Sequence, residues 1–370
     1  GMELKRTSVS QKNMYVVPNN LVDQWQRVFK SLYSKAKIFC VTPDNFVPAK
    51  RQEVLNRIKQ EEFDAVIIAY SCFSLIPLSN KFLLENLYSQ IYSLKSDFDK
   101  NPNKLLKENI EKLEKEKEVL LSQNSAQEGV CFDELGINTL FIDEAHNFKN
   151  VPFYTKAGNI LGINPNGSKK CKDVFLKVEC VQNQNDGRGV VMATGTPITN
   201  SVSDLFIIQS YLQKKELASL NISSFDSWTS TFAELVTGFE IDVDTGGYRL
   251  ARRFSKFHNL PELTEILSLI ADFHGTNGGE LMPVFSGYTD CVIKSNERLK
   301  KYVKNLSARA DLVRSGLVTP KQDNMLKITT DGRKIALDCR LIDETAPFLE
   351  DSKICVCARN VYDICKKYEK

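Results

Sequence analysis

Two adjacent carboxylates and a histidine, Asp143-Glu144-Ala145-His146, directly follow the apolar run Leu140-Phe141-Ile142. Such a run reads as a buried strand. Its end then places both acids at the carboxyl edge of a sheet, where α/β domains bind ligands. In nucleotide hydrolysis one carboxylate holds Mg²⁺ while its neighbour polarises the attacking water. Adjacency suits that division, because one side chain faces the metal and the other the γ-phosphate. An Asp-Glu pair alone is an ordinary solvated turn; the strand before it and the Ala-His after it narrow the reading. Asp143 is thus the candidate metal ligand, with Glu144 and His146 beside it as candidate catalytic groups.

A second constellation lies about fifty residues on, at Val191-Met192-Ala193-Thr194-Gly195-Thr196-Pro197-Ile198-Thr199-Asn200-Ser201. A strand here runs into hydroxyls and a glycine, then a proline, then a helix. Thr194, Gly195 and Thr196 would present side-chain hydroxyls and backbone N–H groups near the neighbouring strand end. A third is Tyr15-Val16-Val17-Pro18-Asn19-Asn20. Pro18 stops the strand, and Asn19 and Asn20 offer amides at a helix N-terminus, a suitable contact for a phosphate backbone.

The elements that must position these groups are legible as short apolar runs. Met14–Val17, Ile38–Val41, Ala65–Ala69, Leu140–Ile142 and Val190–Ala193 read as strands of a parallel sheet, apolar on both faces. Leu21, Trp25, Val28, Phe29 and Leu32 follow a helical period after Asn19-Asn20, the expected cap. Leu205, Ile208 and Leu212 do the same, with Ser201 and Asp204 as a capping pair. Strand alternating with helix predicts a doubly wound α/β domain over residues 1–212. Residues 79–124 interrupt it with two charged helical segments broken at Asn101-Pro102-Asn103. Leu106, Ile110, Leu113 and Leu120 form a seam there, and Lys107/Glu111, Glu108/Lys112 and Glu111/Lys115 supply i,i+4 pairs. The expectation is an inserted helical hairpin that projects as a solvated antiparallel arm, with a partner-binding coiled coil as the alternative. Residues 213–293 read as a mostly helical region with a Gly-rich turn at Asp244-Thr245-Gly246-Gly247. Residues 294–370 read as a basic helical region. In it Lys294, Arg298, Lys300, Lys301, Lys304, Arg309 and Arg314 face only Glu297 and Asp311 before residue 315.

The three motifs, in this order and spacing, resemble the superfamily-two helicases, and within them the Swi/Snf-like DNA-dependent ATPases. Asp143-Glu144-Ala145-His146-Asn147-Phe148-Lys149-Asn150 resembles their Walker B motif, a DEAH box with its Lys-Asn extension. Thr194-Gly195-Thr196-Pro197-Ile198-Thr199-Asn200 resembles the motif that couples hydrolysis to DNA movement. Val16-Val17-Pro18 through Trp25 resembles the first DNA-contacting motif after the P-loop, and Asp64 through Tyr70 is similar to a following strand. Phe225-Asp226-Ser227-Trp228, Arg253-Phe254-Ser255-Lys256-Phe257, Leu260-Pro261-Glu262-Leu263 and Asn324 through Thr329 look like the large helicase-methylase proteins of phages and conjugative elements. The resemblance implies a RecA-like P-loop NTPase fold. It implies ATP with Mg²⁺ on Asp143, and Glu144, Thr194, Gly195 and Thr196 on the nucleotide side. DNA would be held without regard to sequence through Pro18, Asn19, Asn20, Thr194 and Thr196, with Lys300, Lys301 and Lys304 as the densest cationic supplement.

The family pattern begins with G-x-x-x-x-G-K-[ST] ahead of the Val16-Val17-Pro18 strand, and no such segment stands there in this sequence. Gly162-Ile163-Asn164-Pro165-Asn166-Gly167-Ser168-Lys169 has the glycine spacing, but Ser and Lys are exchanged. It also follows the carboxylate strand rather than the first strand of the sheet. The expectation is therefore a first motor domain whose P-loop and second RecA-like domain lie outside this chain, with weak or no ATP turnover alone. The alternative is a non-catalytic DNA-binding or assembly module keeping a helicase fold. In that case the basic segment, with Arg249, Arg252, Arg253 and Lys256, would carry its binding. A nuclease or methylase fits worse, because no further spaced carboxylates or D-P-P-Y-type motif accompany the acids.

Composition is permissive. At 42 % hydrophobic and 26 % charged residues the chain is an ordinary globular sequence, and a net charge of +3 argues for no partner by itself. No apolar run reaches the eighteen or so residues that a membrane helix needs. The ten cysteines lack C-x-x-C spacing and only three histidines accompany them, which predicts reduced thiols in a cytoplasmic protein rather than a zinc site.

Overall fold

The computed structural model describes residues 1–100, 102–122, 129–158, 160–199, 201–241, 248–274 and 287–368. Its centre is a five-stranded parallel sheet of β1 (Asn13–Val17), β2 (Ile38–Val41), β3 (Ala65–Ala69), β4 (Thr139–Ile142) and β5 (Val190–Met192), in the order β2-β3-β1-β4-β5. The expected α/β class, a parallel sheet with helices between its strands, is what the chain adopts. The apolar runs form strands because the interior of a parallel sheet is covered on both faces. Every residue of β1 and β3 is buried, and Met14, Val16, Ile67, Ile68 and Leu140 have no exposed surface. Each such side chain contributes about 1.5–3 kcal/mol of burial.

Helices flank and connect the strands. They are α1 (Met2–Arg6), α2 (Val22–Leu32), α3 (Pro48–Gln60), the short α4 (Tyr70–Phe73), α5 (Asn80–Lys100), α6 (Lys104–Ser122), α7 (Lys169–Gln184) and α8 (Ser203–Leu212). From β1 the chain moves outward to β2 and β3, then crosses back to β4 and β5. The order therefore reverses between β1 and β4, and the crevice for a ligand opens at their carboxyl ends. Register fixes what stands there: Val16 lies opposite Ile68 on one side and Ile142 on the other, and Ile142 lies opposite Met192. The turns at Pro18, Tyr70, Asp143 and Thr194 thus leave the sheet at one edge.

Three local expectations are corrected. Asn19 and Asn20 do not cap α2; they form a 3-10 turn before it, and the Asn19 Oδ1 accepts from the Ser71 N–H at 3.1 Å. Ser201 and Asp204 do not form a capping pair. The Ser201 Oγ accepts from the Ser203 N–H, and Asp204 turns back to Thr199. The region from residue 213 is not mostly helical. Besides α9 (Lys214–Ser219), α10 (Phe225–Phe232) and α11 (Leu260–Ser268) it holds β6 (Ala233–Ile241) and β7 (Tyr248–Phe257), paired as a two-stranded sheet. The Gly-rich turn between them falls outside the described residues.

The arm is a helical hairpin at the expected place, antiparallel by its contacts. Lys95 reaches Glu114 across it at 2.8 Å, and the Lys117 ammonium sits over the Tyr88 ring. Its ion pairs differ from the three expected. Among the described residues Lys104 meets Glu108 and Lys117 meets Glu114. Nor does it simply project. Glu116 pairs with Lys172 at 2.7 Å, and Asn86 donates to Glu179 at 2.8 Å, so the arm leans on α7. Leu87, Ile91 and Leu106 are buried without joining the sheet's core, which among the described residues reaches the arm at its root, Phe82 and Leu83. Replacing residues 84–121 with a short linker should therefore leave cooperative unfolding of the sheet domain intact. A broad, non-cooperative urea transition by circular dichroism would show the arm to be part of the core.

The chain divides into two compact units, residues 1–238 with 251–273, and residues 239–250 with 274–370. The second contains α12 (Glu297–Arg314), α13 (Met325–Leu337) and α14 (Lys353–Tyr368) around a small core of Ile335, Cys339 and Ala346. The basic helix α12 is less bare than its sequence. Arg309 is held by Asp323 and Asp331, Lys300 by Glu297 and Arg314 by Asp311. Lys301 and Lys304 remain exposed, with no ion pair among the described residues.

Candidate active site at the carboxyl edge of the sheet

The carboxylate turn begins as a continuation of the β ladder. The Asp143 N–H donates to the Val16 carbonyl at 3.0 Å, and the Ala193 N–H to the Ile142 carbonyl at 2.9 Å. The chain then reverses at Glu144, whose φ of 47° and ψ of 48° lie in the left-handed region. A non-glycine residue there is strained unless its surroundings hold it. Four groups do. The Asp143 carboxylate accepts from the Glu144 N–H at 3.0 Å, and the Ala145 N–H donates to the Ala193 carbonyl at 2.9 Å. The Glu144 carbonyl accepts from both the backbone and side-chain nitrogens of Asn147 at 3.0 Å. The Tyr70 hydroxyl donates to the Asp143 carbonyl and lies 3.4 Å from that of Glu144. Burial pushes the Tyr70 phenol above its ordinary range, so it stays a donor. Its ring meets Phe148 edge-on, and the Lys170 ammonium sits over both rings.

The turn joins the carboxylates to the second motif. The His146 Nδ1 is 3.2 Å from a Glu144 carboxylate oxygen and 3.0 Å from the Thr194 hydroxyl. The imidazole thus stands between the Glu144 carboxylate and the Thr194 hydroxyl. Thr194 also accepts from the Thr196 N–H at 3.1 Å. Glu144 keeps 44 % of its side chain exposed, open to a water or ligand. Thr196 and Gly195 are exposed, and a Cβ at Gly195 would meet nothing within 4 Å. The structure thus brings Asp143, Glu144, His146 and Thr194 together, with Gly195 and Thr196 beside them. Pro18, Asn19 and Asn20 leave β1 on the adjacent side of the crevice. Lys300, Lys301 and Lys304 belong to the second unit.

The glycine-spaced segment 162–169 is not a phosphate loop of the first strand. Ser168 caps α7 by accepting from the Cys171 N–H, and its own N–H donates to the Asn150 carbonyl at 2.8 Å. Gly167, at φ +59°, serves close packing, since a Cβ would lie 2.4 Å from the Pro152 nitrogen.

A divalent cation is compatible with this donor set in one way only. Among the described residues no group of three His, Cys, Asp or Glu side chains converges. A single carboxylate, Asp143, suits Mg²⁺, which takes one or two carboxylates and completes its shell with phosphate oxygens and water. Sequence reasoning missed Tyr70, Asn147 and Asp204. Tyr70 stands at the end of an apolar run, and the spacing of Asp204 from Ser201 matches a helix cap.

A family model described as a probable helicase domain matches residues 1–275, and the chain belongs to that family. The helicase likeness of the motifs and the family of the chain thus agree. Among curated proteins, the chain is similar to the defense against restriction protein B of Escherichia phage P1. They are 23 % identical over 176 residues, which cover 44 % of this chain and 8 % of that protein. Among solved structures it matches the Sulfolobus solfataricus SWI2/SNF2 ATPase core in complex with dsDNA. That match has 14 % identity and a TM-score of 0.37, over 98 % of this chain and 55 % of the other. Among the described residues no helix is long and apolar enough to cross a membrane.

Proposed function

We propose that this chain is the carboxylate-bearing half of a nucleic-acid-dependent ATPase motor of a mobile-element protein. The observation that carries the reading is the strained Glu144 turn, fixed by Tyr70, Asn147 and Ala193 and coupled through His146 to Thr194. Strain of this kind persists where the surroundings over-determine it, and such sites are commonly functional. A non-catalytic module with a helicase fold would need no such arrangement.

In this account Asp143 would hold Mg²⁺, which when bound would supply charge neutralisation at the transferred phosphoryl group. Glu144 orients and deprotonates the attacking water. His146 keeps the Glu144 carboxylate in place and joins it to Thr194. Thr194 and Thr196 then present the second turn to a nucleic-acid backbone, beside Asn19 and Asn20. The phosphate-binding loop belongs to protein outside this chain. β5 is an edge strand, and Val191 is 44 % exposed on it, so a further parallel strand carrying that loop has a place to pair. A second RecA-like domain would close the cleft. The phage relative supports the mobile-element setting.

DNA held through Asn19, Asn20, Thr194 and Thr196 releases few counterions, because these groups are uncharged. Salt-dependent affinity then rests on cations such as Lys301 and Lys304. Each neutralised phosphate contributes roughly −0.9 to the slope of log K against log salt on duplex DNA. Replacing Lys300, Lys301 and Lys304 with Gln should reduce that slope by roughly two to three units. An unchanged slope in fluorescence anisotropy titrations would exclude α12 as a phosphate contact. No duplex binding at low salt would reject the DNA-binding part of the reading.

A further inference from the structure

The turn from Thr194 to Thr199 has no regular structure of its own, yet both its ends are fastened to the same neighbour. One end is the contact between Thr194 and His146. At the other, the Asp204 Oδ2 accepts from the Thr199 N–H at 2.9 Å and from the Thr199 hydroxyl at 3.0 Å. The Lys149 ammonium reaches that same oxygen at 3.0 Å and also contacts the Thr199 hydroxyl. Lys149 follows the carboxylate turn directly, so the cation comes from the side of Asp143 and Glu144 and the anion from α8. The pair is nearly dehydrated, at 15 % side-chain exposure for Lys149 and 7 % for Asp204. Asp204 also lies in the first turn of α8, where a carboxylate is favoured by the helix dipole. Between the two fastenings the turn is open to solvent, with Ile198 45 % exposed.

We infer that Lys149 and Asp204 are positioning residues: a buried clasp that locks the far end of the Thr194–Thr199 turn to the carboxylate turn, so that the two move as one body. The inference rests on the reading above, in which this turn meets a nucleic-acid backbone. A turn held only at Thr194 would pivot there, and a shift of Glu144 would be lost within it. With the second fastening the same shift carries Thr196 and Ile198 along. The clasp also accounts for the charge on two nearly buried side chains. An apolar pair would fill the space, but it would give the Thr199 N–H no acceptor.

That difference supplies the test. The double variant Lys149→Met/Asp204→Leu removes both charges together, which is often neutral for stability. Measured on the purified chain, its melting midpoint should stay close to the parent's. Its Thr199 amide should exchange with deuterium at least about tenfold faster, as loss of a charge-assisted hydrogen bond implies. Amides of β1 and β3 should exchange at the parent rate, and duplex affinity at low salt should fall several-fold. Lys149→Arg keeps the ion pair and should keep the protection. Should the double variant fail to fold, Lys149→Gln carries the test, with a smaller rise confined to the same turn. Unchanged Thr199 exchange in the variant that folds would overturn the clasp, and so would exchange that rises equally across the sheet. If the parent chain binds no duplex DNA, the proposed function fails. The exchange pattern then still decides whether the clasp exists.

Discussion

Glu144→Gln should reduce nucleic-acid-stimulated ATP hydrolysis at least about a hundredfold in a protein that joins this chain to the phosphate-binding loop and second lobe we propose. General-base catalysis contributes about 10²–10⁴ to such reactions. The substitution keeps the shape of the side chain and its place in the left-handed turn, since that conformation is held by the backbone contacts of Glu144 and by Tyr70. An amide can still contact His146, but it cannot take a proton from water. ATP affinity should therefore change little while turnover is lost. Steady-state rates with and without DNA, beside nucleotide binding by the same variant, check both halves. Turnover equal to the parent's would reject Glu144 as the base.

The second large effect concerns stability and lies on α7. Lys177 is fully buried, pairs with Asp173 at 2.7 Å, donates to the Phe73 carbonyl at 2.7 Å and sits 4.6 Å from the Phe73 ring centre. Asp173→Asn would strip a buried ammonium of its counter-charge. Breaking such a pair by removing one partner costs about 3–5 kcal/mol. Combining it with Lys177→Met should recover most of that loss, because no charge is then left buried. Burial holds the Lys177 ammonium below its ordinary value of 10.5. The unfolded chain therefore binds more protons in the window between the lowered value and 10.5. The penalty is present in full below that window and is relieved as pH rises through it, so stability from this group increases with pH there. Urea unfolding of the parent, the single variant and the double variant measures these terms. A single variant as stable as the parent would show that Lys177 does not need Asp173.

Most of the sheet was legible because parallel strands buried on both faces must be apolar throughout. Ile38–Val41 and Ala65–Ala69 form strands at those bounds. The carboxylate turn was equally plain, since two acids after such a strand have few other uses. The ribbon of β6 and β7 was not legible as a strand pair. Both are partly exposed, and β7 carries Arg252, Arg253 and Lys256, so neither shows a continuous apolar run. The available signal was the period-two placement of Leu235, Thr237 and Phe239, set against helical neighbours. Asp204 was misread for a different reason. A first-turn acid three residues after a serine satisfies the capping pattern, and sequence spacing cannot show that Thr199 folds back to offer its own N–H. Tyr70 escaped notice because its role depends on β3 lying next but one to β4, a fact of sheet order. Lys177 was hidden in an amphipathic stretch where lysine is ordinarily solvated.

The central claim is that Asp143 and Glu144 form one half of a nucleotide site whose phosphate-binding half is carried elsewhere. Isothermal calorimetry with Mg-ATP tests it most directly, on this chain alone and on the same chain joined to a strand and loop of G-x-x-x-x-G-K-[ST] type. The account predicts millimolar or weaker affinity for the chain alone. With the loop in place, affinity should be at least about a hundredfold tighter, a difference of about 2.7 kcal/mol, and it should weaken on Asp143→Asn. Micromolar binding by the chain alone, or no gain when the loop is joined, would contradict it.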